Sequence, residues 1–420
     1  MLIAAAFGAC GGGGGATQPP DAPCATATEI EGLRLRHAAL AVLLAAASCS
    51  AGGGDALCAP PADVDGLRLN QVQVVGSHNS YRRRTYAPLF AHLRNIRACL
   101  SAELDPETWD YDHPPLREQL DAGVRALEID IYDDPEGGRF YNRQGLRWIG
   151  EPAVSHVAAL LEPGFKVLHV PDFDYETHHV TFVSALGEIA RWSEAHPRHV
   201  PIAIHVETKQ ATVADDLPDL GLTTALPFDA AAADALDAEI RSAIPVAHII
   251  TPDEVRGAHA TLEEAVLAGG WPTLADARGR IFFLLEGAAI DAYVTGAPGL
   301  VGRLMFANAR PGTPHAAVVI AGNPVKDGAA IADLVRRGYV VRTMADAGTV
   351  QARTGDVTAR DAALASGAQI VTTDYDRPDP RGDTPDSGWT NYSVDLPGGG
   401  GARINPVSGG PRAPARICED

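Results

Sequence analysis

From Asn70 onward the chain alternates short β-branched apolar runs with longer stretches at helical spacing, and this alternation constrains the fold more than any other feature. Strands are expected at Val72–Gly76, Val124–Ile131, Val167–Val170, Ile202–Val206, Ile281–Leu285, Leu304–Phe306, Val340–Thr343 and Gln369–Thr372. Between them, Leu116–Ala122, Thr181–Ala195, Ala230–Ile244, Thr261–Ala268, Lys326–Arg337 and Val357–Ser366 place apolar residues on one helical face. Eight strands with crossovers predict an α/β fold, a (β/α)8 TIM-like barrel in regular or irregular form. Ala316–Ile320 is a weaker strand candidate that leaves the count open, and no internal repeat is visible.

The segment before the barrel reads differently. A glycine run at Gly11–Gly15 and the proline-rich Gln18–Pro23 cannot supply packed elements. Arg34 and Arg36 then precede the apolar run Ala38–Ala47, which ends at Ala46-Ala47-Ser48-Cys49. This is the pattern of a bacterial export signal with a lipidation site at Cys49, and the apolar run is too short to span a bilayer. The expected organisation is a leader at 1–48, a flexible tether at 49–69, the barrel at 70–376 and an irregular segment at 377–420. The protein is expected to be exported and lipid-anchored in the cell envelope, or otherwise secreted. Cys58, Cys99 and Cys418 remain after the leader, so any one disulfide leaves one thiol over, and the sequence does not choose the pair. With 34 basic against 53 acidic residues, a net charge of −19 argues against a nucleic-acid partner. An anionic substrate would therefore have to be met by a local cation.

Such a site is expected at the C-terminal ends of the strands, where a barrel collects its chemistry. The first strand runs into Gly76-Ser77-His78-Asn79-Ser80-Tyr81, and the second ends Leu127-Glu128-Ile129-Asp130. Alternate residues of a strand share a face, so Glu128 and Asp130 point the same way, opposite to Leu127, Ile129 and Ile131. Inside a barrel such a pair is costly unless it holds a cation. His169 follows the third strand, and the fourth brings Glu207 with Lys209. Lys209 stands out because only Lys166, Lys209 and Lys326 are lysines among the 34 basic residues. Three carboxylates and an amide oxygen are hard ligands that suit calcium or magnesium better than zinc. The two histidines are then available for proton transfer, and the set as a whole describes phosphodiester cleavage. His178 and His179 read as capping or solvated side chains at a helix start; His156, Asp172 and Asp174 stay undecided.

GSHNSY, LDAGVRALEIDIY, FKVLHVPD, HVETK, WPTLADARGRIFFLLE and ALASGAQIVTTDY together resemble the bacterial calcium-dependent phosphatidylinositol-specific phospholipase C family, over roughly Asn70 to Tyr375. The resemblance implies that His78 and His169 are the catalytic histidines and that Asn79, Glu128, Asp130 and Glu207 bind Ca2+. It also implies that Lys209 contacts the phosphate or the inositol ring. The implied reaction is attack of the inositol 2-hydroxyl on phosphorus, releasing diacylglycerol and a cyclic inositol phosphate. The partners expected are a phosphoinositide substrate and, through the lipid anchor, a membrane surface, with the chain acting as a monomer. Two alternatives remain open at this point: a glycerophosphodiester phosphodiesterase, against which Asn79 argues, and a non-catalytic calcium-dependent lipid-binding lipoprotein.

Overall fold

The computed structural model describes residues 58–100, 104–216 and 218–419; the expected leader, Cys49 and nearly all of the tether's first half lie outside the described residues. Among the described residues ten strands form one sheet: β1 (Val72–Ser77), β2 (Ala126–Tyr132), β3 (Lys166–Val167), β4 (Ile202–Thr208), β5 (Ile281–Gly287), β6 (Met305–Ala307), β7 (Val318–Ile320), β8 (Val340–Met344), β9 (Ile370–Thr373) and β10 (Ala402–Ile404). Eight of them run parallel in the order β6-β5-β4-β2-β1-β9-β8-β7. A parallel bridge between Asn308 and Val318 brings the two ends of that order together, so the ring is a nearly closed, irregular TIM barrel.

The six expected helices are present at Leu116–Asp121, Phe182–Ala195, Ala230–Ala243, Leu262–Leu267, Pro324–Arg337 and Thr358–Ser366. Their starts follow from local chemistry. The Asp229 carboxylate accepts from the backbone N–H groups of Ala231 and Ala232, and Thr261 with Glu264 forms a reciprocal capping box. Leu186, Ile189, Leu236 and Ile240 on these helices join Ile129, Ile131, Ile204 and Val206 of the strands in one buried apolar cluster. The apolar face of each strand is thereby used against helices, which leaves the alternate residues for the barrel interior.

Two strand assignments differ from the sequence expectation. Val167–Val170 does not form a barrel strand: only Lys166–Val167 pairs, antiparallel, with the end of β2. Pro171 and a left-handed Asp172 (φ 73°) reverse the chain, and Val170 bridges back to Asp174 within the same loop. β2 pairs directly with β4, and the eighth parallel strand is instead Val318–Ile320, from the weaker candidate, lying beside β8 and reached from β6 by a connection without a helix. β10, from the C-terminal segment, pairs antiparallel with Val72–Val74 of β1, while β2 pairs only with Gly76 and Ser77. At that short junction a Cβ on residue 76 would stand 2.6 Å from the Ala126 Cβ, so glycine permits the approach. Cys58 and Cys418 are disulfide-bonded. No helix among the described residues is long and apolar enough to cross a membrane.

Candidate active site

The turn after β1 is sewn to β2 by its serines. Ser80 donates its N–H to the Glu128 carbonyl (2.9 Å), and its Oγ accepts from the Glu128 N–H (2.7 Å) and lies 2.6 Å from the Ser77 Oγ. That stitching brings Asn79, buried and left-handed at φ 50°, beside the carboxylates of β2. The parallel register sets Asp130 opposite Glu207 and Glu128 opposite His205. Glu128, Asp130 and Glu207 each offer an oxygen within 4.8 Å of the others, and among the described residues this is the cluster suited to a metal.

The donor set fits a hard divalent cation. One atom of the Asn79 amide lies 3.2 and 3.1 Å from the two Asp130 oxygens, and the other end of the amide lies 3.1 Å from the Tyr111 hydroxyl. With NH2 toward Asp130 the amide donates to the carboxylate; turned over, it would offer its carbonyl oxygen as a hard ligand to a bound cation. Calcium would thus be held by Asn79, Glu128, Asp130 and Glu207, all from two strands and one turn.

Protein cations occupy the cluster's surroundings. The Lys209 ammonium contacts Asp130 Oδ2 and lies 3.8 Å from Glu207 Oε2, and Arg342 on β8 pairs with Glu128 Oε2. His205 Nδ1 lies 3.3 Å from Glu128 and its Nε2 2.9 Å from Glu286. Burial opposes ionisation of Glu128, but Arg342, His78 and His205 hold its pKa well below the usual range. Glu207 goes the other way: burial, then the neighbouring Asp130, push it up to about 7 against the pull of Lys209. Lys209 is therefore seated among the carboxylates of the cluster.

Each predicted histidine is oriented by an aspartate. His78 Nδ1–H donates to Asp374 Oδ1 (2.7 Å), leaving Nε2 directed to the acid cluster at 3.7 Å from Glu128 Oε1. His169 Nδ1–H donates to Asp174 Oδ2 (2.6 Å). Asp174 is in turn held by the fully buried Arg82, whose Nε donates at 2.6 Å, and by the Thr85 hydroxyl at 2.5 Å. Burial alone would lower the pKa of His78, but Glu128 and Asp374 outweigh it and push it up to about 9. Burial lowers His169, Lys209 and Arg82 add to that, and the Asp174 hydrogen bond opposes it. The two histidines are thus driven in opposite directions, His78 up by its neighbouring carboxylates and His169 down by burial.

All seven sequence-predicted side chains lie at or near the C-terminal ends of β1, β2 and β4 and in the loop after β3. Sequence reading missed Asp374, Arg342 and Arg82 and left Asp174 undecided. Arg342 did leave a signal, as the one charge inside the apolar run Val340–Met344. His178 and His179 bond elsewhere, to the His113 carbonyl and to Glu188.

Residues 67–406 match the model of the family described as phosphoinositide phospholipase C, Ca2+-dependent. The chain belongs to this family. The phospholipase C chain is similar in structure to a calcium-dependent phosphoinositol-specific phospholipase C from a Gram-negative Pseudomonas species, crystallised with myo-inositol. That likeness has 14% identity over 84% of this chain and 99% of the other, with a TM-score of 0.49. A Ca2+-dependent phosphatidylinositol-specific phospholipase C from Streptomyces antibioticus is similar at 19% identity over 73% and 94% of the two chains, with a TM-score of 0.44. The phosphatidylinositol-specific phospholipase C of Listeria monocytogenes is similar at 13% identity over 73% and 89%, with a TM-score of 0.40. No curated protein matches the chain.

Proposed function

We propose that this phospholipase C cleaves the phosphodiester of phosphatidylinositol, releasing diacylglycerol and an inositol phosphate formed first as the cyclic diester. The observation that carries the reading is the pair of aspartate-oriented histidines, His78 with Asp374 and His169 with Asp174, beside a three-carboxylate cluster. A histidine whose Nδ1–H is fixed by a carboxylate presents Nε2 in one tautomer and direction, as acid–base catalysis of a phosphoryl transfer requires. One Nε2 takes the proton of the inositol 2-hydroxyl, and the other gives a proton to the departing diacylglycerol oxygen. Calcium, when bound, supplies charge that stabilises the phosphate oxygens as negative charge gathers on them. Lys209, within reach of the same oxygens once it leaves Asp130, adds to that stabilisation. Export and lipidation at Cys49 complete the reading, supported by the leader pattern and by disulfide bonding at Cys58 and Cys418, which suits an oxidising compartment.

The test supplies the purified chain with labelled phosphatidylinositol or glycerophosphoinositol, with calcium or with chelator. Diacylglycerol and cyclic inositol phosphate should appear from phosphatidylinositol with calcium only. Glycerol phosphate released from glycerophosphoinositol, with phosphatidylinositol untouched, would overturn the proposal in favour of the glycerophosphodiester reading. Calcium-dependent lipid binding without product would make the chain a binding protein. Mass spectrometry of the membrane fraction should find a diacylated Cys49 N-terminus.

A further inference from the structure

Behind Asp374 lies a second buried carboxylate that the chemistry above does not use. Asp346, just beyond β8, is 3% exposed. Its Oδ1 accepts from the backbone N–H of Asp374 at 2.8 Å, and its Oδ2 accepts from the Thr373 hydroxyl. Oδ2 also lies 3.1 Å from the hydroxyl of Tyr392, a residue of the C-terminal segment, which stands 3.2 Å from the Ala345 carbonyl as well. The same two residues, Thr373 and Asp374, hold His78 at both ends: the Thr373 carbonyl accepts the His78 N–H at 2.8 Å, and the Asp374 carboxylate accepts its Nδ1–H.

We infer that Asp346 is a positioning residue for the proton transfer at His78, fixing the Thr373–Asp374 platform, and that Tyr392 makes the C-terminal segment part of that apparatus. Two buried carboxylates in neighbouring loops repel, and a fold retains both only where each satisfies donors that would otherwise be orphaned. The two acids stand close, with Asp346 Oδ1 2.8 Å from the Asp374 N–H, and after burial itself Asp374 is the largest influence raising the pKa of Asp346, to about 7. The geometry selects one histidine. Asp174 rests on Arg82 and Thr85 and has no bond to Asp346 or Tyr392, so the His169 side is independent of this tether.

The inference rests on the proposed role of His78 as a proton-transfer group, and its test separates the two. In the full chain, Asp346→Ala, Asp346→Asn and Tyr392→Phe are compared by turnover on phosphatidylinositol in mixed micelles, by calcium calorimetry and by the imidazole Nδ1–H proton resonances of His78 and His169. Asp346→Ala should lower kcat by about 10²-fold, as loss of alignment does, with KM and calcium affinity unchanged. The His78 Nδ1–H resonance should be lost to exchange while that of His169 persists. Asp346→Asn keeps an acceptor for the Asp374 N–H and should retain part of both kcat and the resonance; Tyr392→Phe should move both in the same direction by less. A folded Asp346→Ala with unchanged kcat and an intact His78 resonance overturns the inference, as does loss of both histidine resonances together with calcium binding. If Asp346→Ala fails to fold, the same readings on the other two variants decide. The resonances report the tether whether or not the chain turns over phosphatidylinositol.

Discussion

Lys209 carries the sharpest consequence at the scale of a single residue. Its ammonium rests on Asp130 and near Glu207, so calcium entering the cluster meets a cation already there. Removing that charge should tighten calcium even as it removes a group assigned to the phosphate. Lys209→Met is expected to bind calcium at least roughly tenfold more tightly, a modest effect for like charges a few ångströms apart at an effective dielectric of about 20. Its turnover should nevertheless fall. Asp130→Asn must do the opposite to affinity, since ligand charge sets calcium binding at oxygen sites. Calorimetry on both variants checks the pair of signs, and unchanged or weaker calcium binding in Lys209→Met would show that the ammonium does not compete. Residue-level reading of the sequence identified Lys209 from its rarity, but its resting partner depends on where the fold puts Asp130.

At the level of strands and helices, legibility followed the length of the pattern. Long amphipathic runs such as Phe182–Ala195 and doubly buried strands such as β2 and β4 declare themselves, because many residues repeat the same demand. β7 has three residues and no preceding helix, and Val167–Val170 is β-branched yet ends at Pro171, so local pattern misjudged both. The carboxylate partners of the site were hidden for another reason: His78 and Asp374 are 296 positions apart, and only barrel closure makes them neighbours. The junction of β1 with β2 rests on only two residue pairs, and Gly76 is its critical residue. Gly76→Ala would press a methyl against the Ala126 Cβ at 2.6 Å and its carbonyl oxygen at 2.9 Å. Overpacking of this kind costs about 1–3 kcal/mol. Urea unfolding should register that loss, and adding Ala126→Gly should return part of it; a Gly76→Ala chain as stable as the parent would show that the strands separate freely.

At the scale of the whole molecule, a buried histidine at the end of the barrel away from the site contributes to the loss of stability in mild acid. His199 lies at the N-terminal approach to β4, 2% exposed, donating Nδ1–H to the Val200 carbonyl (2.6 Å) and accepting at Nε2 from the Ser193 hydroxyl (2.7 Å). In the neutral ring one nitrogen donates and the other accepts, and these two partners satisfy both. Around it stand Trp192, Arg125 and His196, with Glu419 of the C-terminal segment paired to Arg125 and accepting the Val200 N–H at 3.0 Å. Burial, helped by Arg125 and His196 and opposed by the Val200 carbonyl and Glu419, brings the folded pKa down to about 4. The unfolded chain takes up this proton near pH 6.5, and the folded chain does not until about pH 4. The stabilisation from a neutral His199 is therefore complete above pH 6.5 and is withdrawn as pH falls toward 4, to a total of about 3 kcal/mol. His199→Gln, which cannot titrate, should be less stable than the parent at pH 7 but lose less between pH 7 and pH 4. Urea midpoints of the calcium-free proteins measure this with the metal cluster left out of the comparison. Parallel pH dependences in the two proteins would mean that His199 is already exposed to protons in the folded state, and that acid sensitivity must be sought among the carboxylates instead.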